Sequence, residues 1–133
     1  MIELVWDARQ QGTGRGTSGA SLRVGADTHF SPEDLLGLAA AGCLMKTFLT
    51  LAEEAALPFL SYLSTAELVP GEQPDRPLRM CVRTYVTAAN EADRRRLERV
   101  VARARRDSPI ASLLGDRVEI ISECSVLAGA SPE

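Results

Sequence analysis

The chain has one histidine and three cysteines in 133 residues, and Cys43, Cys81 and Cys124 show no Cys-x-x-Cys spacing. A Cys/His zinc site therefore has almost no ligands to draw on, so no metal is indicated and no cofactor is implied. An odd cysteine count also argues against a purely structural disulfide framework. Neither sign of charge dominates: 15 Lys and Arg against 18 Asp and Glu leave a net charge of −3. That gives no global attraction for nucleic acid or for an anionic membrane, and neither is expected as a partner. The N-terminal MIELVWDARQ lacks a basic region followed by an apolar core, so no signal peptide is expected and the chain is read as cytoplasmic. Repeats and low-complexity tracts are absent from the sequence. The glycines of QQGTGRGTSG, residues 10–19, look like a phosphate loop in composition only. No Lys-Ser/Thr follows them and a strand pattern comes next, which removes nucleotide binding.

What is present is one long helical stretch, Ser31 to Leu57, SPEDLLGLAAAGCLMKTFLTLAEEAAL. Ser31 is placed to serve as N-cap, and Pro32 stands at the first helical position, where its missing donor costs nothing. Glu33 and Asp34 complement the positive end of the helix dipole, and Asp34 closes a capping box with Asp in place of Glu. From Leu35 to Met45 every residue is Leu, Gly, Ala, Cys or Met. A helix apolar all round must be covered on all sides. A polar face returns with Lys46, Thr47, Thr50, Glu53 and Glu54, and Pro58 should end the helix near Leu57. Lys46 and the many Ala and Gly residues speak against a membrane span over Leu35 to Ala52.

Period-two patterns surround this helix. Ile2, Leu4, Trp6 and Ala8 alternate with Glu3, Val5 and Asp7, which predicts a strand with one buried face; the Gly-rich turn then leads to a second strand through Ala20, Leu22 and Val24. Residues 25–30 link this hairpin to the helix. A second hairpin is expected, with strands through Leu60–Leu68 and Leu78–Val86 and a turn at PGEQPDRP, residues 70–77. Asn90 caps a second helix with Leu97, Val100, Val101 and Ala104 on its apolar face; its arginines read as a solvated face partly paired with Glu91, Asp93 and Glu98. Ser108-Pro109 starts a short helical piece that Gly115 stops, and a last strand runs through Val118, Ile120, Ser122, Cys124 and Val126. The order ββ-α-ββ-α-(short α)-β over residues 1–133 suits a single α+β domain with antiparallel strands, with GASPE at the end as a free tail.

At SPEDLLGLAAAGCLMKT the chain resembles the OsmC-like family, the osmotically induced and organic hydroperoxide resistance proteins, whose central helix begins Ser/Asn-Pro-Glu-x-Leu and carries a reactive cysteine ten residues after that Glu. The resemblance implies antiparallel sheets wrapping long central helices in an intertwined homodimer. It also implies Cys43 as peroxidatic cysteine, Glu33 as helix-start carboxylate and Arg15 as the arginine that pairs with them, with Arg23 as the alternative. The family's second cysteine falls where this chain has Ser108, so the resolving thiol is missing. At about 1.5 Å rise per residue, Glu33 and Cys43 are roughly 15 Å apart along one straight helix. They cannot meet within a chain, whereas antiparallel helices of two subunits bring one to the other and bury the apolar segment as well.

A thiol reduces a peroxide only as thiolate, and mid-helix in apolar surroundings an arginine has to supply the stabilising charge. The expected chemistry is attack on an organic hydroperoxide, whose apolar part would lie against Leu36, Leu44 and Phe48. A sulfenic acid remains and is resolved by an external thiol, or less readily by Cys81 or Cys124, which suit small apolar fillers on strands. The alternative is a non-enzymatic dimer that senses oxidation through Cys43 or binds a small apolar ligand. In that case Glu33 is only a dipole complement, Arg15 a solvated turn residue and Ser108 only a helix cap.

Overall fold

The structure is a computed structural model that describes residues 1–25 and 30–127. The expected free tail, and all of the expected linker between Gly25 and Phe30, lie outside the described residues. The chain divides into two compact units, Met1–Leu36 and Gly37–Glu133.

In the first unit β1 (Glu3–Ala8), β2 (Gln11–Arg15) and β3 (Ser21–Gly25) form one antiparallel sheet in that order. The expected hairpin is therefore three-stranded, and much of the Gly-rich stretch is a strand. Glycine is needed there for closeness: a Cβ on Gly12 would stand 2.9 Å from the Val5 carbonyl oxygen and 3.1 Å from Leu4 Cδ1. The true turns flank β2, at Arg9 with φ 49° and at Gly19 with φ 92°. Register and alternation put Leu4, Trp6, Leu22 and Val24 on one face, and Gln11, Thr13, Arg15, Ser21 and Arg23 on the other. The buried face expected for β1 is not buried by this chain, with Leu4 67% and Trp6 73% exposed.

Helix α1 runs Pro32–Glu54. Its start is the reciprocal box that the sequence predicts: Asp34 N–H donates to Ser31 Oγ at 3.1 Å, and Ser31 N–H to Asp34 Oδ2 at 3.2 Å. It ends at Glu54, short of Leu57, because Ala56 turns left-handed at φ 50° and Leu57 N–H closes back on the Ala52 carbonyl at 2.9 Å.

The second unit pairs β4 (Ser61–Gln73) with β5 (Arg76–Ala88) as a long antiparallel hairpin. Pairing continues to Gln73 and Arg76 past an irregularity at Pro70, so the turn is Pro74–Asp75 rather than the whole of 70–77. Next come α2 (Glu91–Asp107), α3 (Pro109–Leu114), a single 3-10 turn (Gly115–Arg117) and β6 (Val118–Val126). Asn90 Oδ1 accepts from Asp93 N–H at 2.8 Å, as its capping position predicts. β6 lies beside β5 in parallel, which corrects the all-antiparallel expectation. The helices between the two strands supply the long crossover that parallel pairing requires. The α+β class stands.

The core of this unit joins Ala40, Ala41, Leu44, Phe48 and Ala52 of α1 to Met80, Val82 and Val86 of β5, Leu97, Val101 and Ala104 of α2 and Ile120 of β6. By length and composition α1 could cross a membrane, yet this stripe of it is core. Cover is one-sided, however. Leu38, Met45 and Leu49 are 55%, 40% and 40% exposed, so the all-round cover expected for the apolar segment is not provided by one chain.

Candidate functional site

Cys43 is half-buried on α1, next in sequence to the buried Leu44. Thr47 Oγ1 donates to the Cys43 carbonyl at 3.0 Å, which ties the turn that carries the thiol. A second polar side chain reaches the sulfur itself from the segment after α2. Ser108 Oγ lies 3.4 Å from Cys43 Sγ, and Ser108 is 0% exposed.

The backbone explains that placement. α2 stops at Asp107, and Ser108 N–H donates to the Ala104 carbonyl at 2.9 Å. Ser108 itself is extended, at φ −64° and ψ 120°, and Pro109 opens α3 behind it. Ser108 holds the N-cap position of α3, as the Ser-Pro pair predicts, and its carbonyl accepts from Ser112 N–H at 3.1 Å; the hydroxyl makes no capping bond and donates to the cysteine sulfur instead. Cys43 and Ser108 are thus the pair of predicted site residues that the fold brings together.

The remaining predicted residues are placed as follows. Arg15 ends β2 and lies at the edge of a concavity of about 510 Å³, walled chiefly by Ile2, Leu4, Leu22, Val24 and Leu35. Ile2, Leu4, Leu22 and Val24 are apolar positions of the alternating runs that predict strands, but no sequence signal marks them, or Leu35 of α1, as the wall of a concavity. Arg23 shares the sheet face of Arg15, and its Nη2 donates to Gln11 Oε1 at 3.3 Å. Glu33 is exposed in the first turn of α1. Of the three residues expected to line a substrate wall, Leu36 is 41% exposed, while Leu44 and Phe48 are packed into the core at 2% and 1%.

Of the other cysteines, Cys81 is 5% exposed on β5, and Cys124 on β6 is half-buried like Cys43. Burial pushes the Cys124 thiol up from its ordinary range, and the Glu98 carboxylate adds to this while Arg94 opposes it. Arg94 itself is held between Glu91 and Glu98, and Arg96 and Arg103 pair with Asp93 and Asp107, so much of the α2 arginine face is neutralised as the sequence predicts. Among the described residues no group of three His, Cys, Asp or Glu side chains could hold a metal ion.

The family model described as OsmC-like protein matches residues 25–123. Among solved structures, the chain is similar to an OsmC-like protein from Mycoplasma pneumoniae, with a TM-score of 0.74, 15% identity and 95% of each chain covered. It is also similar to the organic hydroperoxide resistance protein OhrB of Bacillus subtilis, with a TM-score of 0.67, 16% identity, and 93% of this chain and 97% of that one covered. An organic hydroperoxide resistance protein OsmC from Legionella pneumophila matches at a TM-score of 0.65 and 16% identity, over 95% of this chain and 94% of that one. At such identities the likeness is one of fold. No curated protein matches in sequence.

Proposed function

Because the chain belongs to the OsmC-like family, we propose that it reduces organic hydroperoxides through Cys43, as a homodimer, with an external thiol as reductant. The observation that carries this reading is the half-buried Cys43 sulfur held 3.4 Å from a buried polar side chain at the position where the family has its second cysteine. An isolated core filler has no use for such a neighbour.

The thiolate attacks the outer peroxide oxygen, the O–O bond breaks, and the alkoxide leaves and takes a proton from water as the alcohol. Sulfur is oxidised by two electrons to a sulfenic acid. An external thiol then condenses with that acid, releasing water and forming a mixed disulfide, and a second thiol restores Cys43. Arg15, oriented by Glu33, supplies the positive charge beside the thiolate from the other subunit; the apolar concavity next to Arg15 suits the organic part of such a peroxide.

Turnover of cumene hydroperoxide and of hydrogen peroxide with dithiol reductants tests this, in the wild type and in Cys43→Ser. The expected outcome is Cys43-dependent consumption, faster with the organic peroxide. No Cys43-dependent turnover with any reductant would leave the second reading, a non-enzymatic sensor or apolar-ligand dimer, which the serine at position 108 favours because an internal disulfide to that site cannot form.

A further inference from the structure

Ser108 has no part in that scheme, yet it is placed as though it did. Its hydroxyl is fully shielded from water, and its hydrogen-bond partner among the described residues is the Cys43 sulfur. A buried hydroxyl left without a partner is costly, so this contact holds both groups. A thiolate has no proton to give. Once Cys43 ionises, the only way to keep the bond is for the serine to donate, and a bond to a charged acceptor is stronger than one to the neutral thiol.

We propose that Ser108 is a positioning residue that donates a hydrogen bond from its hydroxyl to the Cys43 thiolate before attack, keeping its own proton, and stays beside the sulfenic acid afterwards. This rests on the peroxidase reading of Cys43. A serine hydroxyl without an adjacent base is a weak nucleophile, and none of its atoms can close a disulfide with Cys43. The oxidised protein therefore stops at the sulfenic acid until an outside thiol arrives. Serine at position 108 removes the internal resolving step there and keeps a hydrogen bond to the sulfur, so the catalytic cycle runs through Cys43 as its one redox cysteine.

The test compares the wild type with Ser108→Ala and Ser108→Cys, all reduced and then exposed to cumene hydroperoxide without reductant. Wild type is expected to accumulate a lasting Cys43 adduct with dimedone. Ser108→Ala should keep its fold by circular dichroism but oxidise roughly tenfold more slowly, the order expected for a lost bond to a charged group. Ser108→Cys should lose the dimedone adduct and instead lose two hydrogens in intact mass, as an internal disulfide does. Equal oxidation rates in wild type and Ser108→Ala overturn the proposal, as does a Ser108→Cys protein that stays fully dimedone-reactive. A wild type that does not oxidise overturns the peroxidase reading instead. Ser108 is then judged by iodoacetamide alkylation of Cys43, which needs the thiolate but no peroxide. A rate unchanged in Ser108→Ala overturns the hydrogen-bond role, and a several-fold drop supports it.

Discussion

The ring of Phe48 lies 5.0 Å from that of Tyr62, tilted by 33°, and meets Phe59 edge-on at 5.2 Å. These contacts fasten the middle of α1 to β4 and to the loop before it. Aromatic pairs of this geometry add to area burial, and Phe48 is 1% exposed. Phe48→Ala should cost about 3–5 kcal/mol by urea unfolding, the range for emptying a packed aromatic site. A loss below 1 kcal/mol would mean that Phe48 faces a cavity or ligand rather than the core.

Tyr62 gives the stability a pH dependence at the alkaline end. Burial raises its phenol above the ordinary tyrosine range, and the Thr84 hydroxyl pulls partly back. In the unfolded chain the phenol ionises near its usual pKa of ~10, while in the folded chain it stays protonated longer. The folded state then binds more protons, so stability falls as pH rises from the unfolded value through the folded one. Urea midpoints measured from neutral pH upward should drop across that window, and Tyr62→Phe should make the drop smaller. An equal drop in both proteins would assign it to other groups.

How far the sequence carried these conclusions depends on the range of the forces involved. The start of α1 was legible because its cap is local: Ser31, Pro32 and Asp34 are adjacent and their bonds close within one turn. Strand β2 was not, since a run of Gly, Thr and Arg has no apolar period and its glycines answer to β1, which crowds Gly12. The parallel placement of β6 depends on where two helices return the chain, which no pattern inside β6 encodes. Cys43 was legible as a candidate through its register with the cap. Its closeness to Ser108 was legible only through the family resemblance, which puts the resolving cysteine at position 108; the two are 65 positions apart and no local pattern links them.

The capping box itself can be measured. Both side chains at the start of α1 are within reach of solvent, so substitution removes hydrogen bonds without opening a cavity. Ser31→Ala and Asp34→Ala should each destabilise by about 0.5–2 kcal/mol. Because the two bonds are reciprocal, the double variant should cost less than the sum of the singles in a mutant cycle. Strict additivity would mean that they act as separate dipole and cap effects.

Cysteine labelling should be strongly unequal. Burial disfavours the Cys124 thiolate, with Glu98 adding to the effect, and Cys81 is 5% exposed. Thiolate fraction and access together set alkylation rate. In Cys43→Ser at neutral pH, labelling by iodoacetamide should therefore be slower than that of a free peptide thiol. Fast labelling of Cys124 in that variant would make it a resolving candidate and weaken the single-cysteine account.

The exposed side of α1 bears on assembly. Leu38, Gly42, Met45 and Leu49 recur at the spacing of one helical stripe, and a Cβ added at Gly42 would meet nothing within 4 Å. Such a stripe, with a glycine at its centre, suits close approach by another helix. A second copy of α1 offers a matching one under two-fold symmetry. Within one chain Met45→Glu should be nearly neutral, since Met45 is 40% exposed. In a homodimer the charge is forced into the interface and must be desolvated without a partner. We therefore expect the wild type to sediment as a dimer with an unfolding midpoint that rises with protein concentration. Met45→Glu should dissociate, and Thr50→Glu, exposed on a face of α1 turned away from the stripe, should not. A wild type that stays a folded monomer at micromolar concentration would remove both the dimer and the site that depends on it.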